Sequence, residues 1–273
     1  MIDVQSMHDS RQIEIDKVGV KNVKYPIMVF DKVNGHQHTV ATIDMYVNLQ
    51  HNFKGTHMSR FVEILHENKS MINLKNFPNI LREMKNKLNA QTAHLEVRFP
   101  YFIKKEAPIT KTPSFLEYQC SVLGHMDNTN EMKDFVVSVA VPINTLCPCS
   151  KEISEQGAHN QRGIVKIDVK FKKIFWIEDL IAMVEGCASS DIYSILKRED
   201  EKYVTERAFA NPKFVEDVVR DIAKVLEQDS NFTWFAIEAE NFESIHNHNA
   251  YAHIESHNVF TNGHAEDYII SRY

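Results

Sequence analysis

Apolar and polar residues alternate at Ala41, Ile43, Met45, Val47 and Leu49, again at Leu95, Val97, Phe99 and Tyr101, and again at Leu116, Tyr118, Cys120 and Val122. A period of two puts every second side chain on one face of an extended chain, so each run predicts a strand with one buried face. Between the first and second runs, Phe61, Ile64 and Leu65, then Ile80, Leu81, Met84 and Leu88, recur at helical spacing. Pro78 stands where a first-turn proline opens the second of those helices. With a first strand near Ile27 to Phe30, this half reads strand, strand, helix, helix, strand, strand.

The second half repeats the order. Phe135, Val137, Val139, Val141 and Ile143 alternate, as do Val165, Ile167, Val169 and Phe171. Ile177, Leu180, Ile181 and Val184 form one helical stripe. Phe214, Val215, Val218, Ile222, Val225 and Leu226 form another, with Asn211 as its expected cap and Pro212 at its first position. Thr233, Phe235 and Ile237, then Ala250, Ala252 and Ile254, supply two last strands. The polar stretch 126–131 has turn-forming composition and is the natural junction. The pattern predicts an α+β chain of two modules, 1–130 and 131–273, each a four-stranded antiparallel sheet with two helices on one face. Open sheet edges need neighbours, so the modules are expected to close with other copies into an oligomeric barrel. From Asn258 onward, through Asn262-Gly263-His264 and Asp267, no period survives, and a loosely held end is expected.

Composition narrows the function. The chain has 273 residues, 43% hydrophobic and 25% charged, which suits a globular protein rather than a disordered or fibrous one. A formal charge of -6 lacks the basic footprint of a nucleic-acid binder. The N-terminal run Met1-Ile2-Asp3-Val4-Gln5 lacks a signal pattern, and no apolar run has membrane-spanning length, so the expected address is cytoplasmic. Of four cysteines, Cys120 and Cys187 sit in apolar patterns and are expected in the core. Four thiols in so long a chain do not make a disulfide framework.

The chemistry concentrates elsewhere. Cys147 and Cys149 flank Pro148, and His159 follows ten residues after Cys149. Thiolate and imidazole joined by a short reversal can hold a divalent ion or act as nucleophile and acid. Pro148 favours a turn, which would give the two thiols different tasks. Glu201, in the charge run 197–202, would add a hard oxygen ligand from a loop between the two helices, and mixed sulfur, nitrogen and oxygen donors allow zinc or manganese. Glu243 and His246, with His248, follow a predicted strand and can exchange protons near neutral pH. Glu216 lies beside the long apolar stripe near a helix start. Gly55-Thr56-His57-Met58-Ser59-Arg60 would open the first helix, where amides with His57 and Arg60 suit phosphate oxygens, and Thr56 is the expected cap.

Six runs carry a resemblance: Lys54-Gly55-Thr56-His57-Met58-Ser59-Arg60-Phe61; Leu146-Cys147-Pro148-Cys149-Ser150-Lys151-Glu152-Ile153-Ser154; Gly157-Ala158-His159-Asn160-Gln161-Arg162; Asp200-Glu201-Lys202-Tyr203-Val204-Thr205-Glu206; Asn211-Pro212-Lys213-Phe214-Val215-Glu216-Asp217; and Phe242-Glu243-Ser244-Ile245-His246-Asn247-His248. Together they resemble the prokaryotic type IB GTP cyclohydrolases of the tunnelling-fold superfamily. The resemblance implies tandem tunnelling-fold modules in a homo-oligomer such as a homotetramer. It implies conversion of GTP and water to 7,8-dihydroneopterin triphosphate and formate. It also implies a zinc or manganese ion on Cys147, His159 and Glu201. Cys149, Glu243 and His246 would surround the reacting ring, and Glu216 would grip the guanine edge. For the triphosphate, the expected site is a basic pocket of His57 and Arg60 supplied by a neighbouring subunit. Two rival readings are a nitrile reductase of the same superfamily, in which a cysteine attacks the nitrile and NADPH supplies hydride, and a catalytically silent purine or pterin binder.

Overall fold

The computed structural model describes residue 5, residues 7–68 and residues 72–256. Eight strands run β1 (Ile15–Asp31), β2 (Gly35–Leu49), β3 (Ala93–Glu106), β4 (Pro113–Met126), β5 (Met132–Leu146), β6 (Asn160–Phe171), β7 (Phe232–Asn241) and β8 (Ala250–Glu255). Six helices accompany them: α1 (Met58–Glu67), α2 (Phe77–Leu88), α3 (Pro148–Ile153), α4 (Ile177–Gly186), α5 (Arg198–Ala210) and α6 (Val215–Gln228). The strands follow sequence order, each antiparallel to the next. β4 and β5 pair across the expected junction, so the two sets of four form one continuous sheet.

One core spans both halves. Most alternating residues of the predicted runs, such as Ile43, Met45, Val97, Val139, Val141, Ile167 and Ile237, are buried against the helices through Phe61, Leu81, Met84, Leu180, Val218 and Ile222, whereas Leu116, Phe135, Phe171, Ala250, Ala252 and Ile254 are half-buried at the core's margin and Thr233 is exposed. The opposite sheet face is mixed, with a small buried cluster of Val136, Trp234 and Ala236 beside charged side chains. Glu96, Arg98, Lys166, Asp168, Glu238 and His253 line a cavity of about 570 Å³ there. Burial pushes the Asp168 carboxyl up to about 6, the Glu238 charge adds to that, and a hydrogen bond with Ser138 opposes it.

Several expected boundaries move. β1 begins twelve residues before Ile27 because register shifts between Ile15 and Val18 and between Val20 and Val23 interrupt its alternation. Asn22 takes a left-handed φ of 59° at the second shift and donates its N–H to Asp44 Oδ1 at 2.6 Å. The second half carries four helices instead of two. The charge run 197–202, expected as a loop, is the start of α5, where Asp200 accepts from the Lys197 N–H at 2.9 Å. Asn211 and Pro212 do not open α6. Asn211 is the C-cap of α5, its side chain donates to the Ala188 carbonyl at 2.9 Å, and α6 begins at Val215 behind Phe214. Phe214 and Val225 are exposed rather than part of the buried stripe. The N-cap of α1 is His57, not Thr56. Pro78 lies in the first turn of α2 as expected. The tail from Asn258 lies outside the described residues. Among the described residues no helix is long and apolar enough to cross a membrane.

Candidate functional site

Four chain segments meet at the end of the sheet where β5 stops and β6 begins. The Leu146 N–H donates to Ser189 Oγ at 3.1 Å, and the Leu146 carbonyl accepts from the Lys213 N–H at 3.0 Å, so the residue before Cys147 is clamped from both sides. The second of these bonds also brings the start of α6, with Glu216, to this end. On the other flank, Gly163 pairs with Asn241 and the Phe242 N–H donates to the Arg162 carbonyl at 2.9 Å, which carries the 242–249 segment alongside.

Cys147 and His159 face one another across this end through a backbone bond, Cys147 N–H to His159 carbonyl, at 3.1 Å. Cys147 is also the N-cap of α3, with Pro148 in the first turn, and its Sγ accepts from the Ser150 N–H at 3.4 Å. Ser150 Oγ in turn accepts from the His159 N–H at 3.0 Å. Pro148 thus starts a short helix rather than a simple turn, and the two thiols part company: Cys147 is half-buried in the cap and Cys149 is exposed. The His159 ring lies with Nδ1 3.0 Å from Gln161 Oε1 and 3.5 Å from Ser244 Oγ. Ser150, Gln161 and Ser244 escaped the sequence reading. Gln161 had a signal, since a residue two places from His159 in an extended segment projects to the same side.

Glu243 is half-buried, while His246 and Glu216 are exposed. The His246 ring stacks on His248 with centroids 5.1 Å apart. Glu201 is exposed in the first turn of α5. Its neighbour Asp200 is buried and accepts from the Ile109 and Thr110 N–H groups, both at 2.9 Å, and from Thr110 Oγ1 at 2.7 Å, which fastens the helix start to the β3–β4 turn. The far end of α5 touches the cysteine helix, where Lys151 Nζ donates to the Phe209 carbonyl at 2.6 Å. Among the described residues no set of three His, Cys, Asp or Glu side chains converges as a ligand group. The cysteine and histidine are brought together, and Glu201 does not complete a ligand set with them.

His57 and Arg60 sit elsewhere. β2 ends where β3 starts, β4 ends and β5 starts, which is the opposite end of the sheet from Cys147. Arg60 Nη1 donates to the Lys87 carbonyl at the end of α2, 2.9 Å away, tying the two helices together. β5 has 15 residues, roughly 45 Å at about 3.3 Å per residue. Neither the polar cavity nor an apolar one of about 320 Å³ between α2 and the start of α4 is lined by any candidate site residue.

A family model described as type I GTP cyclohydrolase folE2 matches residues 1–252. A GTP cyclohydrolase FolE2 from Syntrophobacter fumaroxidans is 61% identical over 255 residues, covering 93% of this chain and 99% of the relative. One from Syntrophus aciditrophicus is 57% identical over 255 residues, with the same coverage of both chains. Among solved structures, uricase from Arthrobacter globiformis superposes with a TM-score of 0.51 at 6% identity, over 93% of this chain and 97% of that one, which shows a shared fold.

Proposed function

The chain belongs to the type I GTP cyclohydrolase folE2 family, and from that premise we propose that it hydrolyses GTP to 7,8-dihydroneopterin triphosphate and formate, the first step of tetrahydrofolate biosynthesis, in the cytoplasm. The observation that carries the reading is the joint of Cys147, Ser150 and His159 at a sheet end that also gathers Glu216, Glu243 and His246. Carbon 8 of guanine is a poor electrophile until its ring is protonated, so the site must deliver a proton to the imidazole ring and a water to the carbon. Cys149 and His246, both solvent-facing, are the proton-exchanging groups we assign to the ring, with Glu243 as partner to the attacking water. Glu216 accepts from the guanine N1–H and exocyclic amine, which fixes the purine and supplies orientation.

The donor chemistry of Cys147 and His159 fits zinc, and a carboxylate such as Glu201 extends the fit to manganese. A divalent ion held by these residues would supply Lewis-acid activation of the water. Asp200 fixes the α5 start to the β3–β4 turn, and Glu201 at that helix start would have to close toward Cys147 and His159 to join them on an ion.

The site is open in one chain, whereas a reacting purine must be enclosed. We read the two sets of four strands as tandem modules, and the outermost described strands, β1 and β8, as the edges that assemble with further copies into a barrel such as a homotetramer. In it, His57 and Arg60 of one copy would reach the triphosphate bound at the Cys147 end of another. The test is incubation of zinc- or manganese-loaded protein with GTP. Formate and a pterin that fluoresces after oxidation are expected, both lost with chelator and restored by metal. A loaded, folded protein that leaves GTP unchanged refutes the reading.

A further inference from the structure

Gln161 is a strand residue only 7% exposed, and both ends of its amide are engaged. Its Oε1 lies 3.0 Å from His159 Nδ1, and its Nε2 donates to Thr145 Oγ1 at 3.0 Å. Thr145 is fully buried and is the register partner of Gln161 across β5 and β6, so the amide is anchored from the sheet side. A carboxamide oxygen can only accept. The contact with the imidazole is therefore a hydrogen bond when Nδ1 carries the ring hydrogen.

From this geometry we infer that Gln161 is a positioning residue that holds His159 in the Nδ1–H tautomer and leaves Nε2 as the nitrogen with a free lone pair. The inference deepens the cyclohydrolase reading and rests on it, since His159 matters as a ligand or proton carrier only there. A histidine side chain free in water favours the Nε2–H tautomer, so a neighbour that accepts at Nδ1 decides which nitrogen reacts. Ser244 Oγ, 3.5 Å from the same Nδ1, lies on the side of the ring facing the 242–249 segment. Groups that orient a ligating histidine in this way are worth about 10- to 100-fold in metal affinity.

The experiment is nitrogen-15 NMR of histidine-labelled, metal-free protein, with the His159 signals assigned by their loss in His159→Gln, paired with zinc affinity measured against a chromogenic chelator. The parent protein is expected to show a protonated Nδ1 and an unprotonated Nε2 at His159. Gln161→Leu should move the ring toward the Nε2–H form and weaken zinc binding by about 10- to 100-fold. Gln161→Glu, which keeps an acceptor at the same place, should preserve both. An Nε2–H tautomer in the parent overturns the inference, because the amide would then face the ring with its nitrogen. So does a folded Gln161→Leu with unchanged tautomer and zinc affinity. If the leucine variant does not fold, the parent spectrum and Gln161→Glu still decide. A protein that fails to turn over GTP yet shows the expected tautomer and its response to Gln161→Leu would sink the cyclohydrolase reading and leave the positioning role standing.

Discussion

Gly163 sits in the last pair between the strand that leads out of His159 and the strand that leads into Glu243. A Cβ built there would stand 2.8 Å from the Glu240 carbonyl oxygen, 2.5 Å from Asn241 Oδ1 and 3.3 Å from Ile143 Cγ1. Two of those neighbours can turn aside at some cost, but the carbonyl belongs to the paired backbone of β7. Gly163→Ala must then push β6 and β7 apart at the last pair before the site. Overpacking of this kind costs about 1–3 kcal/mol, and the fixed carbonyl places it in the upper half, about 2–3 kcal/mol. For a chain of this size that lowers the melting temperature by about 4–12 °C. The next bond outward is Phe242 N–H to the Arg162 carbonyl, so the displacement passes into the segment holding Glu243 and His246. Misplacement approaching 1 Å can cost about 100-fold in rate. The assay is a thermal melt together with kcat for GTP at 25 °C, where the variant remains folded. An alanine variant with parental melting temperature and parental kcat would show that the strands part freely and that this packing does not position the loop.

Three more outcomes follow from other parts of the molecule. Asp168 has a folded value of about 6 against an ordinary 3.8, so the native state keeps a proton that the unfolded chain releases. Stability therefore falls as pH rises from 3.8 through 6 and stays low above it. Asp168→Asn should be more stable than the parent at pH 7 by at most about 3 kcal/mol, with the gap closing near pH 4 in pH-dependent melts. Glu216→Gln keeps one acceptor for guanine and turns the other into a donor, which should lower kcat/KM for GTP by about 10- to 100-fold on the scale of one charged hydrogen bond at unchanged melting temperature. Values within twofold of the parent would remove Glu216 from purine recognition. Gly186 ends α4 with open space where a Cβ would go, so Gly186→Ala should stabilise by about 0.5–1 kcal/mol, read as a higher urea midpoint with unchanged activity.

The strands were legible because each buries one face on a single shared core, and that burial writes itself into the sequence as alternation. Ala41 to Leu49 and Phe135 to Ile143 are the plainest cases. β1 was legible only from Ile27 because its bulges at Val18 and Val23 reset the alternation. α5 was not legible as a helix, since it buries only Asp200 and Ala208 and so has no apolar stripe. Its signature was the acidic first turn of Glu199, Asp200 and Glu201, the same run that reads as a solvated loop. At the site, residue types announced Cys147, Cys149 and His159, but which thiol enters the cap depends on the φ and ψ that Pro148 imposes on a new helix. Placement of His57 and Arg60 at the far end of the sheet needed the register of four successive strands, which no local pattern encodes.

That far-end placement has a consequence for mixed populations of chains. If each working centre borrows its phosphate clamp from a neighbour, damage at one end of a polypeptide leaves its other end sound. Co-assembled Cys147→Ala and Arg60→Ala chains, each inert by itself, would then rebuild some competent centres where two undamaged ends meet, and genetic lesions at the two ends would complement one another.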